Sequence, residues 1–177
     1  MSEISVIGSG RWGTFLAWYA ANCCGMERVK IYSRPTSPDF IELKETRKNA
    51  YLSLSDNMFL YEKVSEVLDN DFIIISIGSQ HLRSLAKELN GDNVTGKTFL
   101  LAMKGLEEPN ATLLSTVMRE EIKQPIHIAT LGGPGHVQDY MKKVPSCAVI
   151  DSDEEEVKDR VIKMLQSDLI PVSYTHL

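Results

Sequence analysis

Cysteine is scarce in this sequence, with three residues among 177. Cys23 and Cys24 are adjacent and Cys147 lies far from them, so the count predicts neither a disulfide framework nor a metal site of the CxxC type. The N-terminus lacks the basic and apolar segments of a secretory signal. No apolar run approaches the roughly 18 residues that a membrane span needs. We therefore expect a protein of the reducing cytoplasm with no membrane span.

Basic residues are too few for one class of partner. Lys and Arg number 19 against 24 Asp and Glu, which gives a formal net charge of −5. Proteins that bind a nucleic-acid backbone usually carry a basic face, so this balance argues against nucleic acid as a partner. A small phosphorylated ligand is compatible with it, because a local site can be positive on an acidic protein.

Short apolar segments alternate with amphipathic segments along the whole chain. The segments predicted as strands are 4–7, 29–32, 58–60, 72–77, 98–103, 126–131 and 147–150. Those predicted as helices are 12–24, 40–47, 64–68, 82–89, 111–122 and 151–166, the last with Ser152 and Glu155 at capping-box spacing. Residues 72–77 lack polar alternation, which predicts a central parallel strand buried on both faces. The pattern predicts one α/β domain over residues 1–177, a doubly wound Rossmann-type sheet, mostly parallel, with helices on both faces.

Three glycines lie at the junction of the first predicted strand and helix. Residues 8–13 read G-S-G-R-W-G, the G-x-G-x-x-G pattern in the strand-to-helix context that gives it meaning. Gly8 allows a tight turn, Gly10 lets the backbone approach a pyrophosphate, and Gly13 lets the helix pack close to the strand. The first helical amides would hold the anion, and Arg11 adds a cation. The pattern predicts dinucleotide binding; the alternative is a flexible turn without a ligand.

Two further features bear on the cofactor. Trp12 either flanks the cofactor or packs beneath the glycine loop. NAD-binding chains usually place an acidic residue at the end of the second strand to hold the ribose 2′-hydroxyl, but this chain has Tyr32-Ser33-Arg34 there. Ser33 can donate a hydrogen bond and Arg34 can supply charge to a 2′-phosphate, unless Arg34 is only an exposed loop residue. We therefore expect NADPH to be accepted at least as well as NADH.

Lys104 is the candidate for substrate chemistry. It follows a predicted buried strand and precedes a glycine, so it should lie at the carboxyl edge of the sheet, where ligands bind in such folds. There its ammonium would hold a substrate phosphate or polarise the reacting oxygen. The alternative is an ordinary surface lysine. His81, His127 and His176 show no metal-ligand spacing, and we expect His136 to have a packing or loop role.

Five motifs in order resemble the N-terminal cofactor domain of the NAD(P)-dependent glycerol-3-phosphate dehydrogenase family. Residues 8–14 resemble its G-x-G-x-W-G-T, Tyr51-Leu52 its N-x-x-Y-L, residues 79–83 its P-S-Q-x-L-R, residues 104–107 its K-G-x-E, and residues 133–139 its G-P-S-x-A-x-E. Single motifs of this kind are weak, but five in sequence over nearly the whole chain are specific.

The resemblance implies a role for individual residues. It implies cofactor contacts at Arg11, Trp12, Ser33, Arg34, Tyr51, Lys104 and Val137, and substrate contacts at Lys104, Gly133 and Gly135. The implied cofactor is NADPH or NADH. The implied reaction is hydride transfer between nicotinamide and C2 of dihydroxyacetone phosphate or sn-glycerol 3-phosphate, which supplies glycerophospholipid synthesis.

The family continues past a strand resembling residues 172–175 into a helical domain. That domain supplies the catalytic lysine and the dimer interface, so the resemblance implies a homodimeric full-length enzyme. It also implies a main proton donor beyond Leu177. We therefore expect this chain to be an inactive N-terminal fragment.

Several positions depart from the family pattern. Gly78 stands where the family commonly has proline, Gly132 and Gly135 replace small hydroxyl residues, and Val137 and Asp139 replace alanine and glutamate. At Gly135 only a backbone amide could serve the substrate. Alternatives to this family are another reductase with the same cofactor domain, of the ketopantoate reductase or hydroxyacyl dehydrogenase type, and a non-catalytic dinucleotide-sensing domain.

Overall fold

The computed structural model describes residues 2–173, which form one sheet flanked by helices. The strands are β1 (Glu3–Ile7), β2 (Arg28–Tyr32), β3 (Met58–Tyr61), β4 (Phe72–Ile75), β5 (Thr98–Leu101), β6 (His127–Gly132), β7 (Ala148–Asp151) and β8 (Val172–Ser173). The helices are α1 (Arg11–Cys23), α2 (Pro38–Thr46), α3 (Leu82–Leu89), α4 (Leu114–Glu121), α5 (Val137–Met141) and α6 (Glu155–Leu165). Short 3-10 turns cover Val64–Val67 and Ser79–His81.

The sheet has the strand order β3-β2-β1-β4-β5-β6-β7-β8. Only the β6–β7 pair is antiparallel within this sheet of the described residues; the other neighbours are parallel. The first six strands therefore have the doubly wound order that reverses between β1 and β4. Ile7 pairs with Tyr32 on one side and with Ile75 on the other, so three strands end level at this reversal. The predicted fold class is confirmed.

Two apolar clusters, one on each face, hold the sheet between the helices. In β4, Phe72 and Ile74 belong to the cluster that includes α1, while Ile73 and Ile75 belong to the cluster that includes α3 and α4. All four side chains are buried, which confirms β4 as a central strand buried on both faces. Burying one such side chain contributes about 1.5–3 kcal/mol, so this strand anchors both layers.

The boundaries of two predicted helices were wrong. The helix predicted over 111–122 begins at Leu114, because Ala111 has a left-handed φ of 52° and Glu107 pairs with Thr112 in an antiparallel bridge. Periodicity continues through these residues, but a hairpin-like turn competes with the helix for their backbone groups. Leu113 consequently stays 61% exposed.

The helix predicted over 151–166 begins at Glu155, since Asp151 pairs with Thr130 in the sheet. Ser152 does not form the predicted capping box, because its hydroxyl donates to the Ile128 carbonyl at 2.7 Å. The predicted strands 72–77 and 98–103 end two residues early, at Ile75 and Leu101, and residues 64–67 form a 3-10 turn. Of the strand expected over 172–175, β8 covers the first two positions, and the others lie outside the described residues.

Candidate dinucleotide and substrate site

The glycine loop is packed tightly against the end of β4. Gly8 has a φ of +117°, and a Cβ added there would lie 2.0 Å from the carbonyl oxygen of Ser76. A Cβ at Gly13 would lie 2.2 Å from the carbonyl oxygen of Gly8. The Gly8 amide donates to Tyr32 and the Ser76 amide donates to Ile7, both at 2.8 Å. These two glycines therefore let the loop fold onto the carboxyl ends of three strands.

The start of α1 is open to an anion. Within residues 2–173, Gly10 caps the helix without a side-chain hydrogen bond, and the first turn holds no acidic residue. A Cβ at Gly10 would have one neighbour within 4 Å, the Asp39 carboxylate at 3.8 Å. The buried Ser9 hydroxyl has no hydrogen-bond partner in the described part of the chain. Because the first amides of a helix lack partners inside it, the start of α1 offers backbone donors that a pyrophosphate would satisfy.

Two adjoining cavities meet at this loop. The first, of about 520 Å³, lies between the glycine loop and the ends of β2 and β4. The second, of about 540 Å³, lies between the end of β5, the glycine turn at 132–135 and α5. Arg11, Trp12, Ala102 and Lys104 line both cavities. A ligand that fills the first cavity would therefore face a ligand in the second across these residues.

Lys104 lies at the carboxyl edge of the sheet, as predicted. Its side chain is exposed, and no hydrogen bond or ion pair engages its ammonium among residues 2–173. The next residue, Gly105, has a φ of +97°, so the backbone turns away immediately after the lysine. An unpaired cation between two cavities is available to a phosphate or a polarised oxygen in either of them.

Gln80 of the 3-10 turn Ser79–His81 and Arg83 of α3 hold the loop that carries Lys104. The Gln80 amide donates to the Leu106 carbonyl at 2.9 Å, and the Glu108 amide donates to Gln80 Oε1 at 3.0 Å. The Arg83 guanidinium donates twice to the carboxylate of Glu107, at 2.6 Å each.

Arg83 also contacts two carboxylates of α4. It donates to Glu120 at 2.7 Å and to Glu121 at 2.5 Å. The carboxylate of Glu107, followed by those of Glu120 and Glu121, raises the pKa of Arg83, and Arg83 in turn lowers the pKa of Glu107. The loop after β5 is thereby tied to both α3 and α4.

Trp12 lines both cavities and also packs on aromatic side chains of the core. Its ring stacks on Phe15 with centroids 5.3 Å apart, and Phe15 stacks on Tyr140 at 5.0 Å. The Tyr140 hydroxyl explains one departure from the family pattern. A Cβ at Gly135 would lie 1.9 Å from that hydroxyl, so no side chain fits there while Tyr140 is in place.

The remaining predicted residues take different positions around the cavities. Ser33 and Arg34 line the first cavity, and Gly133 and Val137 line the second, with Val137 buried. The Tyr51 ring lines neither cavity, but it packs against the Arg11 guanidinium. The Arg11 Cζ lies 5.0 Å from the centroid of this ring. The Tyr51 hydroxyl accepts a hydrogen bond from Gln138 at 3.4 Å.

The sequence analysis missed Asp39 and Glu88 of the first cavity and Tyr140 of the second. The signal for Asp39 was its place in the first turn of α2, since helix starts point toward the same sheet edge as strand ends. Helix α5, which supplies Tyr140, is only five residues long and carries no periodic pattern.

The histidines fall in separate places. His81 and His136 line the first and second cavities, whereas His127 pairs with Glu154 at 2.7 Å. His176 lies outside the described residues. Within residues 2–173 no three His, Cys, Asp or Glu side chains cluster as a metal site, and no helix has the length and apolar character of a membrane span.

Comparison with known proteins identifies the family. The model for the N-terminus of NAD-dependent glycerol-3-phosphate dehydrogenase matches residues 3–158. The chain belongs to this family. It is 29% identical to the glycerol-3-phosphate dehydrogenase (NAD(P)+) of Clostridium botulinum strain Eklund 17B over 182 residues, covering 99% of the chain and 53% of that relative. It is 31% identical over 159 residues to the enzyme of strain Alaska E43, covering 86% and 46%.

Solved structures share the fold. The glycerol-3-phosphate dehydrogenase of Coxiella burnetii superposes with a TM-score of 0.87 at 20% identity, covering 99% of this chain and 54% of that one. The enzyme of Saccharomyces cerevisiae gives 0.79 at 22% identity, covering 97% and 56%. The chain thus spans about half the length of the proteins it matches. The family match favours this family over the ketopantoate reductase and hydroxyacyl dehydrogenase types.

Proposed function

We propose that these residues form the dinucleotide-binding half of a glycerol-3-phosphate dehydrogenase that uses NADH or NADPH. The observation that carries the proposal is the glycine loop, which lines the first cavity and begins α1 with no acidic residue in its first turn. When bound there, the cofactor supplies or accepts the hydride. The residues of this chain bind it, orient it and set the charge around it.

Each part of the first cavity has a proposed task. Gly8 and Gly13 fix the loop, and Gly10 leaves space for the pyrophosphate beside the α1 amides. Arg11 and Trp12 reach from the loop into both cavities, so they would border the nicotinamide end. Ser33 and Arg34 would meet the ribose end, and Tyr51 would hold the Arg11 guanidinium in place.

The second cavity is the proposed site of dihydroxyacetone phosphate or sn-glycerol 3-phosphate. Lys104 stands between the cavities and would bind the substrate phosphate or the oxygen at C2. Gly133 and Gly135 would contribute backbone groups, because neither position has room for a side chain. Val137 supplies apolar surface next to them.

These residues match only about half the length of their relatives, so the complete reaction is not expected of them alone. Turnover needs a reacting carbon held about 3–3.5 Å from the hydride donor and a proton donor within reach. We propose that the main proton donor is not among residues 1–177, and we expect these residues alone to bind a dinucleotide without turnover. The whole enzyme would act as a cytoplasmic homodimer that supplies glycerophospholipid synthesis.

Calorimetric titration of NADH into the chain and into Gly10→Val tests the proposal. We expect the valine to weaken binding at least ten-fold, because its side chain would occupy the pyrophosphate position. Gly10→Ala is the matched control for folding, since the nearest neighbour of its Cβ is 3.8 Å away. Equal affinity in the wild type and Gly10→Val, with both folded, would show that the loop is not the cofactor site.

A further inference from the structure

Two charges of opposite sign line the first cavity. Arg34 follows β2, and Asp39 lies in the first turn of α2. Both are exposed, and neither forms an ion pair within the described part of the chain. An Asp39 carboxylate oxygen lies 3.8 Å from the position of a Cβ on Gly10, so this carboxylate reaches the glycine loop.

A carboxylate at this position affects the affinity for a dinucleotide. The loop beside it is suited to bind a pyrophosphate, which the carboxylate repels. Asp39 can stabilise a bound dinucleotide only by accepting a hydrogen bond from it. The groups of a dinucleotide that donate hydrogen bonds near the end of β2 are its ribose hydroxyls.

NADH and NADPH differ at this end by one group, the 2′-hydroxyl against the 2′-phosphate. A carboxylate accepts a hydrogen bond from the hydroxyl and repels the phosphate, whereas a guanidinium attracts the phosphate. We propose that Asp39 is a specificity-determining residue that holds the ribose hydroxyl and opposes a 2′-phosphate, in balance with Arg34. This role of Asp39 rests on the proposed dinucleotide site. With both residues in place, the site would accept NADH and NADPH.

Glu88 provides an internal comparison. It lines the same cavity from α3. Burial raises the pKa of the Tyr32 phenol, and the charge of Glu88 raises it further. Removal of Glu88 changes the charge of the cavity by the same amount as the removal of Asp39. If only the summed charge mattered, the two neutral variants would behave alike. If position matters, as we propose, only the change at Asp39 separates the two cofactors.

The test is the ratio of NADPH to NADH affinity in the wild type and in Asp39→Asn, measured by calorimetry or nicotinamide fluorescence. We expect Asp39→Asn to bind NADPH several-fold more tightly and NADH more weakly, so that the ratio shifts toward NADPH about ten-fold. Asp39→Glu keeps the charge and should stay near the wild-type ratio. Arg34→Ala should shift the ratio toward NADH.

Two results would overturn the assignment. One is a ratio in Asp39→Asn within two-fold of the wild type, and the other is an equal shift in Glu88→Gln. Either result, with both cofactors still bound, rejects the role of Asp39 and leaves the dinucleotide site standing. A folded wild-type chain that binds neither cofactor rejects the proposed function itself, and the role of Asp39 with it.

Discussion

At the glycine loop of the first cavity backbone atoms leave no room for a Cβ, whereas beside Gly135 in the second cavity a side chain fills that space. Around the first, strand ends and the glycine loop meet through main-chain hydrogen bonds, and Gly8 and Gly13 leave no room for a Cβ. Around the second, the phenol of Tyr140 fills the space beside Gly135 and continues a stack through Phe15 to Trp12. A glycine motif therefore specifies the site at the glycine loop, the backbone-shaped site. In the site beside Gly135, one side chain can replace another in the same space.

The largest expected effect comes from adding one methyl group to the backbone-shaped site. Gly8→Ala places a Cβ 2.0 Å from a backbone oxygen at a φ of +117°, so it combines overlap with backbone strain. We expect a loss of roughly 2–5 kcal/mol in the free energy of unfolding, measured by urea denaturation. Gly10→Ala is the control and should stay near the wild type. An unchanged midpoint for Gly8→Ala would mean that the loop is not rigidly packed.

A smaller effect is expected in the second cavity, because a side chain yields more easily than backbone. Gly135→Ser overlaps the Tyr140 hydroxyl and should cost about 1–3 kcal/mol in unfolding free energy. Combining it with Tyr140→Val should recover part of that cost, which a double-mutant cycle measures as a favourable coupling. Gly132→Ser, with no atom within 4 Å of its Cβ, is the matched control. Strictly additive costs would contradict the exchange of one side chain for the other.

The smallest effect concerns the ion pairs between Arg83 and the loop after β5. Arg83 lowers the pKa of folded Glu107 below its ordinary value of 4.5. The resulting stability is present above that value and is lost as the pH falls through the folded pKa. The wild type should therefore lose more stability between pH 5 and pH 3 than Arg83→Gln does, as followed by urea midpoints. The control is Arg119→Gln, which removes an exposed pair with Asp153. Parallel pH profiles for wild type and Arg83→Gln would contradict the pairing.

The sequence was sufficient where one local cause decides the structure. The unbroken apolar run predicted the buried strand β4, and the glycine spacing at residues 8–13 predicted the turn into α1. The start of α4 was not, because the turn that pairs Glu107 with Thr112 competes with a helical pattern of equal local merit.

Long-range contacts lay beyond sequence reasoning. The position of Asp39 beside the glycine loop depends on how α2 is oriented after β2, and that of Tyr140 depends on its stacking against α1. Spacing along the chain predicts that Asp39 lies at a helix start near the sheet edge, but it predicts neither the approach of Asp39 to Gly10 nor the stacking of Tyr140. The residues at the end of β2 therefore indicate Arg34 but not the Asp39 carboxylate, which lines the same cavity.

A dinucleotide bound in the first cavity should extend from the glycine loop to Lys104. Titrating NADH into isotopically labelled chain while recording backbone amide NMR shifts tests it most directly. We predict the largest shifts at residues 8–13, at Ser33 and Arg34, and at Lys104 and Gly105. Shifts confined to the opposite edge of the sheet, where Asp69, Asn70 and Arg160 line a third cavity, would contradict it.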